Sequence, residues 1–113
     1  MKRKLIPAAL VVTGALLLTA CPQETTIARL NAEPGRYYNK EIALRGTVTN
    51  SFGALGQGVY ELSDETGRIM VITDRGVPGR GARIQVAGKY INGVTWGGRN
   101  YGSVLREMGR RVR

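Results

Sequence analysis

The side chains with the widest chemical repertoire are scarce in this chain. Its 113 residues include one cysteine, Cys21, and no histidine. Catalysis needs a nucleophile, a general acid or base, or a metal that activates one. A zinc site of the Cys/His kind cannot be built from one cysteine. Of the eight carboxylates, Asp64 and Glu65 fall in the tight turn "SDETG", where Asp accepts backbone N–H groups. No glycine-rich phosphate loop is present. The reading is a non-enzyme with no metal site and no dissociable cofactor. What remains is chemistry of contact. Two glycine-rich stretches, "NSFGALGQG" (Asn50 to Gly58) and "NGVTWGGRN" (Asn92 to Asn100), carry Phe52, Trp96 and Arg99, with Tyr101 just after. Aromatic faces beside cations suit base stacking and phosphate contact. They equally suit sugars, peptides or proteins. The alternative is that Phe52 and Trp96 fold back to cap the ends of a small core.

Cys21 has a different setting. The chain opens "MKRK" and continues into the uncharged run Leu5 to Ala20. A basic start, a short apolar run and small residues before a break form an export signal. The run falls short of the roughly 20 residues that span a bilayer core. Its end, Leu18-Thr19-Ala20-Cys21, resembles the lipobox of bacterial lipoproteins. That resemblance implies cleavage before Cys21, S-diacylglycerol on its sulfur and an N-acyl chain such as palmitate on its new amine. Two or more chains are what stable anchoring takes. Without the signal, 93 residues remain, enough for one small core. Three of the 17 basic residues leave with it, so 14 face 8 acids, a balance of +6. A lone cysteine forms no disulfide within the chain, so the apolar core must hold the fold.

The elements that would position the contact residues follow from periodicity. "TTIARLNAEPG" predicts a helical turn over 26–32, with Ile27 and Leu30 facing the body and Pro34-Gly35 as the stop. Ile42, Leu44 and Val48 then alternate along a long strand, and Gly46 in the same row predicts a bulge or bend. Tyr60 and Leu62 share one face of the next strand, with Val59 opposite. "RIMVIT" is apolar on both faces, which places it centrally. Ile84, Val86, Gly88 and Tyr90 mark a fourth strand, and "YGSVLREM" the fifth. "GRRVR" reads as a frayed, solvated tail. Five short strands at regular spacing point to a small barrel or sandwich. A long bent first strand with different partners at its two ends closes a barrel.

Lys40, Ile42, Leu44, Gly46 and Val48 resemble the opening rhythm of small OB-fold domains. Tyr60, Leu62, Asp64, Thr66, Gly67, Ile69 and Val71 continue it, and Gly81, Ile84, Val86 and Gly88 complete it. The likeness covers about residues 37–91. It implies a five-stranded Greek-key barrel whose ligands sit on the face of strands 2 and 3, between the 1–2 and 4–5 loops. Many members carry a helix between strands 3 and 4. "RGVPGRG" is too short for one, so the turn at 26–32 is expected to cover that end. OB-fold haem chaperones are also similar, but their haem-linking histidine has no counterpart.

The expected organisation is a lipoprotein signal peptide at 1–20, a polar tether at 21–25, an all-β OB-like domain at 26–108 and a basic tail at 109–113. The leading reading is a membrane-anchored, non-enzymatic binding module of the cell envelope. Its partners are the bilayer, through Cys21, and an envelope protein or anionic polymer. Its contacts are Phe52, Trp96, Arg99 and Tyr101. One alternative is capture of single-stranded nucleic acid or another polyanion at the cell surface. The other is an adaptor that docks a protein partner along a sheet edge. The +6 balance suits either a polyanion groove or attraction to anionic headgroups; only Arg75, Arg80 and Arg83 cluster, around one loop. Pro22 in place of an Asp after the cysteine points to the periplasmic face of an outer membrane in a two-membrane cell. Otherwise the outer face of the cytoplasmic membrane is expected.

Overall fold

In the computed structural model the described residues are 22–54, 56–96 and 99–113, with the backbone alone described at 54, 93–96 and 99–101. Cys21, the signal segment and the export reading lie outside them. Two short helices, α1 (Ile27–Ala32) and α2 (Pro34–Tyr37), stand beside six strands. These are β1 (Gln23–Glu24), β2 (Glu41–Ala54), β3 (Gln57–Ser63), β4 (Arg68–Thr73), β5 (Arg83–Trp96) and β6 (Arg99–Val112).

β2 to β6 close into a five-stranded barrel of order β2–β3–β4–β6–β5–β2. β4 and β6 run parallel, while the other barrel pairs are antiparallel. Closure depends on β2 serving two partners. Its first half, Glu41 to Thr47, pairs with β5, and its second half, from Thr47 on, pairs with β3. Thr47 belongs to both ladders, opposite Ser63 and Arg83. The bulge expected at Gly46 falls instead between Val48 and Asn50. Gly46 answers a different need: a Cβ there would stand 2.6 Å from the Ser63 carbonyl oxygen, where β3 crosses over β2.

The interior is built from the predicted rows. Ile42, Leu44 and Val48, Tyr60 and Leu62, Ile69 and Val71, Ile84 and Val86, Tyr90 and Leu105 form one buried cluster, which Ile27 and Leu30 of α1 join. Tyr38 stacks on Tyr90 with ring centres 4.8 Å apart, and its hydroxyl lies 2.8 Å from that of Ser103.

Each end of the barrel is fastened by a carboxylate. At one end Asp64 holds the β3–β4 turn and α1 together. Its Oδ1 accepts N–H bonds from Thr66 at 2.7 Å and Gly67 at 3.0 Å, and the Thr66 hydroxyl at 2.5 Å. Its Oδ2 accepts the Ile27 N–H at 3.0 Å, and Thr66 Oγ1 accepts that of Ala28 at 2.9 Å. At the other end Glu107 is buried, with its side chain fully enclosed. It accepts the Tyr60 hydroxyl at 2.6 Å, the Thr73 hydroxyl at 3.2 Å and Arg110 Nη1 at 2.9 Å from each oxygen. Arg110 Nη2 donates to the Gly76 carbonyl at 2.9 Å. Burial, with Glu107 beside it, pushes the Tyr60 phenol far above the ordinary tyrosine range, so it stays a donor. Among the described residues no buried side-chain polar atom lacks a partner.

Several expectations are corrected. Pro34 begins a helix instead of only ending one, because a first helical position has no use for the missing N–H. α1 does not cover the end that a strand 3–4 helix would cover; Asp64 ties it to the opposite end. The loop at 74–82 closes that first end itself. Val77 and Ala82 pack on the core, the Ser51 hydroxyl donates to the Pro78 carbonyl at 2.8 Å, and the Gly81 N–H donates to the Val48 carbonyl at 2.7 Å. Residues 23 and 24 of the expected tether pair with Ile42 and Ala43 as β1. Residues 109–112 of the expected frayed tail pair with β5 from Ala87 to Ile84, which keeps their backbone bonded while Arg111 stays exposed and Arg110 turns in to Glu107.

Two outcomes follow. Burial raises the Asp64 carboxyl, but the bonds from the Thr66 hydroxyl and from the Ile27, Thr66 and Gly67 N–H groups outweigh it and hold the group below its ordinary value of 3.8. A depressed folded pKa gives stability that is complete above the unfolded value and lost as pH falls through the folded one. Urea unfolding from pH 7 down to below 4 should therefore show an acid loss that is smaller in Asp64→Asn; identical profiles would refute the clamp. Glu107→Ala strands Arg110 and the Tyr60 hydroxyl and should cost about 3–5 kcal/mol. A urea midpoint equal to the parent's would show that the cluster is dispensable.

Candidate functional site

The outer surface of β3, β4 and β6 carries a second apolar cluster. Residues that oppose each other across a ladder point to one face, so the register lays out the rows. One row runs Phe52, Val59, Ile72, Arg106 and Lys89; the next runs Asn50, Glu61, Met70, Val104 and Ile91. Arg68 opposes Ser63 at the edge. Val59, Ile72 and Val104 are buried, with Met70 and Ile91 packed against them. This explains why "RIMVIT" is apolar on both faces: Ile69 and Val71 serve the interior, Met70 and Ile72 the outside. A wall so filled is stiff, and it leaves the surrounding polar and aromatic groups on a fixed frame.

Those groups are mostly cationic. Arg68, Lys89 and Arg106 are exposed, and none pairs with a carboxylate among the described residues. Two acids share these rows: Glu61, occupied by the Thr49 hydroxyl at 2.6 Å, and Glu41, which stands opposite Lys89 across the β2–β5 ladder without an ion pair to it. Phe52 stands at one end of the face, 48% exposed. It belongs to neither buried cluster.

The four expected contact residues are only partly brought together. Phe52 lies in the β2–β3 hairpin, at the end of the face where β4 finishes. Trp96 and Arg99 oppose each other in the β5–β6 hairpin, and Tyr101 follows in β6. That hairpin continues past Ile91 and Val104, beyond the other end of the face. The side chains of Trp96, Arg99 and Tyr101 lie outside what is described, as does the lipid site Cys21. The two stretches expected as loops are mostly strand, since β2 reaches Ala54 and β5 reaches Trp96. The glycines misled. A side chain at Gly58 would meet Val77 and, at 2.5 Å, the Phe52 carbonyl. Glycine there admits the 74–82 loop instead of marking a mobile segment. In the β5–β6 hairpin, shifts of register between Ile91 and Thr95 accommodate the irregular spacing.

The sequence alone did not single out Arg68, Lys89 or Arg106. Lys89 and Arg106 become neighbours only through the β5–β6 register. The strand parity of Val59, Ile72 and Val104 was the available signal for the outer face. Arg75, expected in a cationic cluster, sits 3.9 Å from Asp74 in an exposed pair, and Arg83 belongs to β5 on another side of the barrel.

No protein-family model matches the chain, and no curated protein does. Solved structures do. The second OB-fold domain of replication protein A from Methanococcus maripaludis aligns with 80% of this chain and 94% of its own, at TM-score 0.57 and 14% identity. A replication protein A heterotrimer bound to single-stranded DNA aligns over 65% of this chain and 57% of its own, at TM-score 0.51 and 17% identity. The asparaginyl-tRNA synthetase of Pyrococcus horikoshii aligns over 68% of this chain and 20% of its own, at TM-score 0.54 and 16% identity. The chain spans a fifth to a quarter of the length of the synthetase chains it matches. Identities this low speak for architecture alone. With its closed strand order and its parallel β4–β6 pair, the domain is an OB-fold barrel.

Proposed function

We propose that this domain is a non-catalytic binding module, held at a membrane by lipid on Cys21, that takes single-stranded nucleic acid on the outer face of β3, β4 and β6. The observation that carries the reading is the set of Arg68, Lys89 and Arg106, exposed and in no ion pair among the described residues, around a rigid apolar wall with Phe52 at its end. Phosphates would lie along the cations, and a base would stack on the Phe52 ring. Stacking tolerates any base, so such binding has little sequence preference. A replication protein A of the same architecture, solved with single-stranded DNA, supports the choice of ligand. The Leu18-Thr19-Ala20-Cys21 motif behind its export signal supports the anchor.

Binding of a mixed-sequence, dye-labelled oligodeoxynucleotide, followed by anisotropy across a salt series, tests the reading. Three phosphate contacts give a log–log salt slope of about −2, and removing Arg106 or Lys89 should lessen it by about 0.7. Phe52→Ala should weaken binding by about 1–3 kcal/mol without changing the slope. An anionic polymer that lacks bases would meet the same cations and be indifferent to Phe52. Salt-independent binding, or none, would reject the proposal.

A further inference from the structure

The anchor leaves the barrel almost no slack. Only Pro22 stands between Cys21 and β1, and Gln23 and Glu24 are already paired with Ile42 and Ala43. The Thr25 N–H donates to the Ala43 carbonyl at 3.1 Å, and Arg45 Nε meets the Glu24 carboxylate at 2.7 Å. An extended chain reaches about 3.3–3.6 Å per residue. One free residue therefore cannot lift the domain clear of whatever holds Cys21.

The surface beside that point is built for close approach. Pro22 lies with Ala43, Ala87 and Gly109 around a shallow hollow of about 240 Å³. Gln85, Arg110 and Arg111 complete its lining. Around it are exposed cations. Arg83 and Arg113 have no carboxylate partner among the described residues, and Arg111 donates only to the neutral Gln85, at 3.1 and 2.7 Å. Glu24 beside β1 is spent on Arg45, and Asp64 and Glu65 line a second hollow with Arg83 and Arg113 toward the β3–β4 turn. Three large hydrophobic side chains are exposed among the described residues. One of them, Met108 (48%), lies on this end of β6 beside the arginines, whereas Val112 opposes the buried Ile84 and belongs to the inner side of the ladder. Cations beside an exposed apolar side chain match an anionic headgroup layer.

Resting on the lipid-anchor reading of Cys21, we infer that the outer face of β1, of the Arg83–Ala87 stretch of β5 and of the ends of β2 and β6 that flank it lies flat on an anionic bilayer surface. The anchor then fixes orientation as well as location. β4, across the closed strand order from the β2–β5 seam, faces away from the lipid, so the Phe52–Arg106 face stays open to a ligand.

The test uses the lipidated full chain in phosphatidylcholine vesicles containing phosphatidylglycerol. A donor dye is placed at Gln85→Cys or, separately, at Arg68→Cys, and the acceptor is on lipid headgroups. The lipid occupies the Cys21 sulfur, so the introduced thiol is the one that reacts. Energy transfer should be strong from position 85 and weak from position 68. The difference should collapse in the Arg83→Glu/Arg111→Glu/Arg113→Glu variant. In the unaltered face it should collapse in 1 M salt, where screening acts over about 3 Å; this arm needs no charge reversal to fold. Equal transfer from both positions, or a difference indifferent to charge and salt, overturns the orientation while vesicle flotation leaves the anchor standing. Failure to float, with a free Cys21 thiol by mass spectrometry, overturns the anchor and the orientation together.

Discussion

One strand with two partners is the constraint on which this molecule depends. β2 hydrogen-bonds to β5 along its first half and to β3 along its second, and Thr47 belongs to both ladders. That sharing turns an open sheet into a barrel and removes its long edges. It also decides which side chains are inside. Once Ile42, Leu44 and Val48 point inward, register dictates that Tyr60, Val71, Val86 and Leu105 do so as well. A one-residue slip would send the whole set outward. Glycine at position 46 lets the Ser63 backbone pass close enough to make the junction.

The ends of a five-stranded barrel this small cannot be sealed by apolar side chains alone. Two carboxylates do part of that work. Asp64 fastens α1 over one end by accepting backbone N–H groups from two separate segments. Glu107 gathers Tyr60, Thr73 and Arg110 at the other, and Arg110 reaches the 74–82 loop. A buried charge pair is tolerable when every polar atom is satisfied, as it is here. These contacts join residues 34 to 47 positions apart, except within the turn itself and between Glu107 and Arg110.

This explains what the sequence could and could not say. Alternation revealed the strands because each inward row is continuous: Ile84, Val86 and Tyr90 could be read from spacing alone. The Asp64 turn was legible because its bonds are local, "SDETG" supplying donor and acceptor within four residues. Glu107 was not legible, since Tyr60 and Thr73 reach it from two distant strands and only Arg110 is near it in sequence. The same holds for the proposed ligand face. Lys89 and Arg106 look scattered in sequence and become neighbours only through the β5–β6 register, while the barrel's closure puts Arg68 on the same outer wall. Phe52 drew notice because an aromatic in a glycine-rich stretch is conspicuous, although Gly53 and Gly58 there admit a packed neighbour, Val77. Residues 23–25 and 109–112 looked polar and therefore loose. Their backbones are paired or bonded at the strand edges, a state that polarity does not forbid.

The barrel thus divides its outside between two surfaces. The β3–β4–β6 face is a stiff apolar wall ringed by Arg68, Lys89, Arg106 and Phe52. The β1–β2–β5 face is small-residue and arginine-rich, one residue from Cys21. Mapping backbone amide chemical shifts on titration with a short single-stranded oligonucleotide tests that division most directly. The account predicts movement at residues 52, 59–61, 70–72 and 104–106, with 42–45 and 84–87 unmoved. Shifts confined to 42–45 and 84–87, or no shifts anywhere, would contradict it.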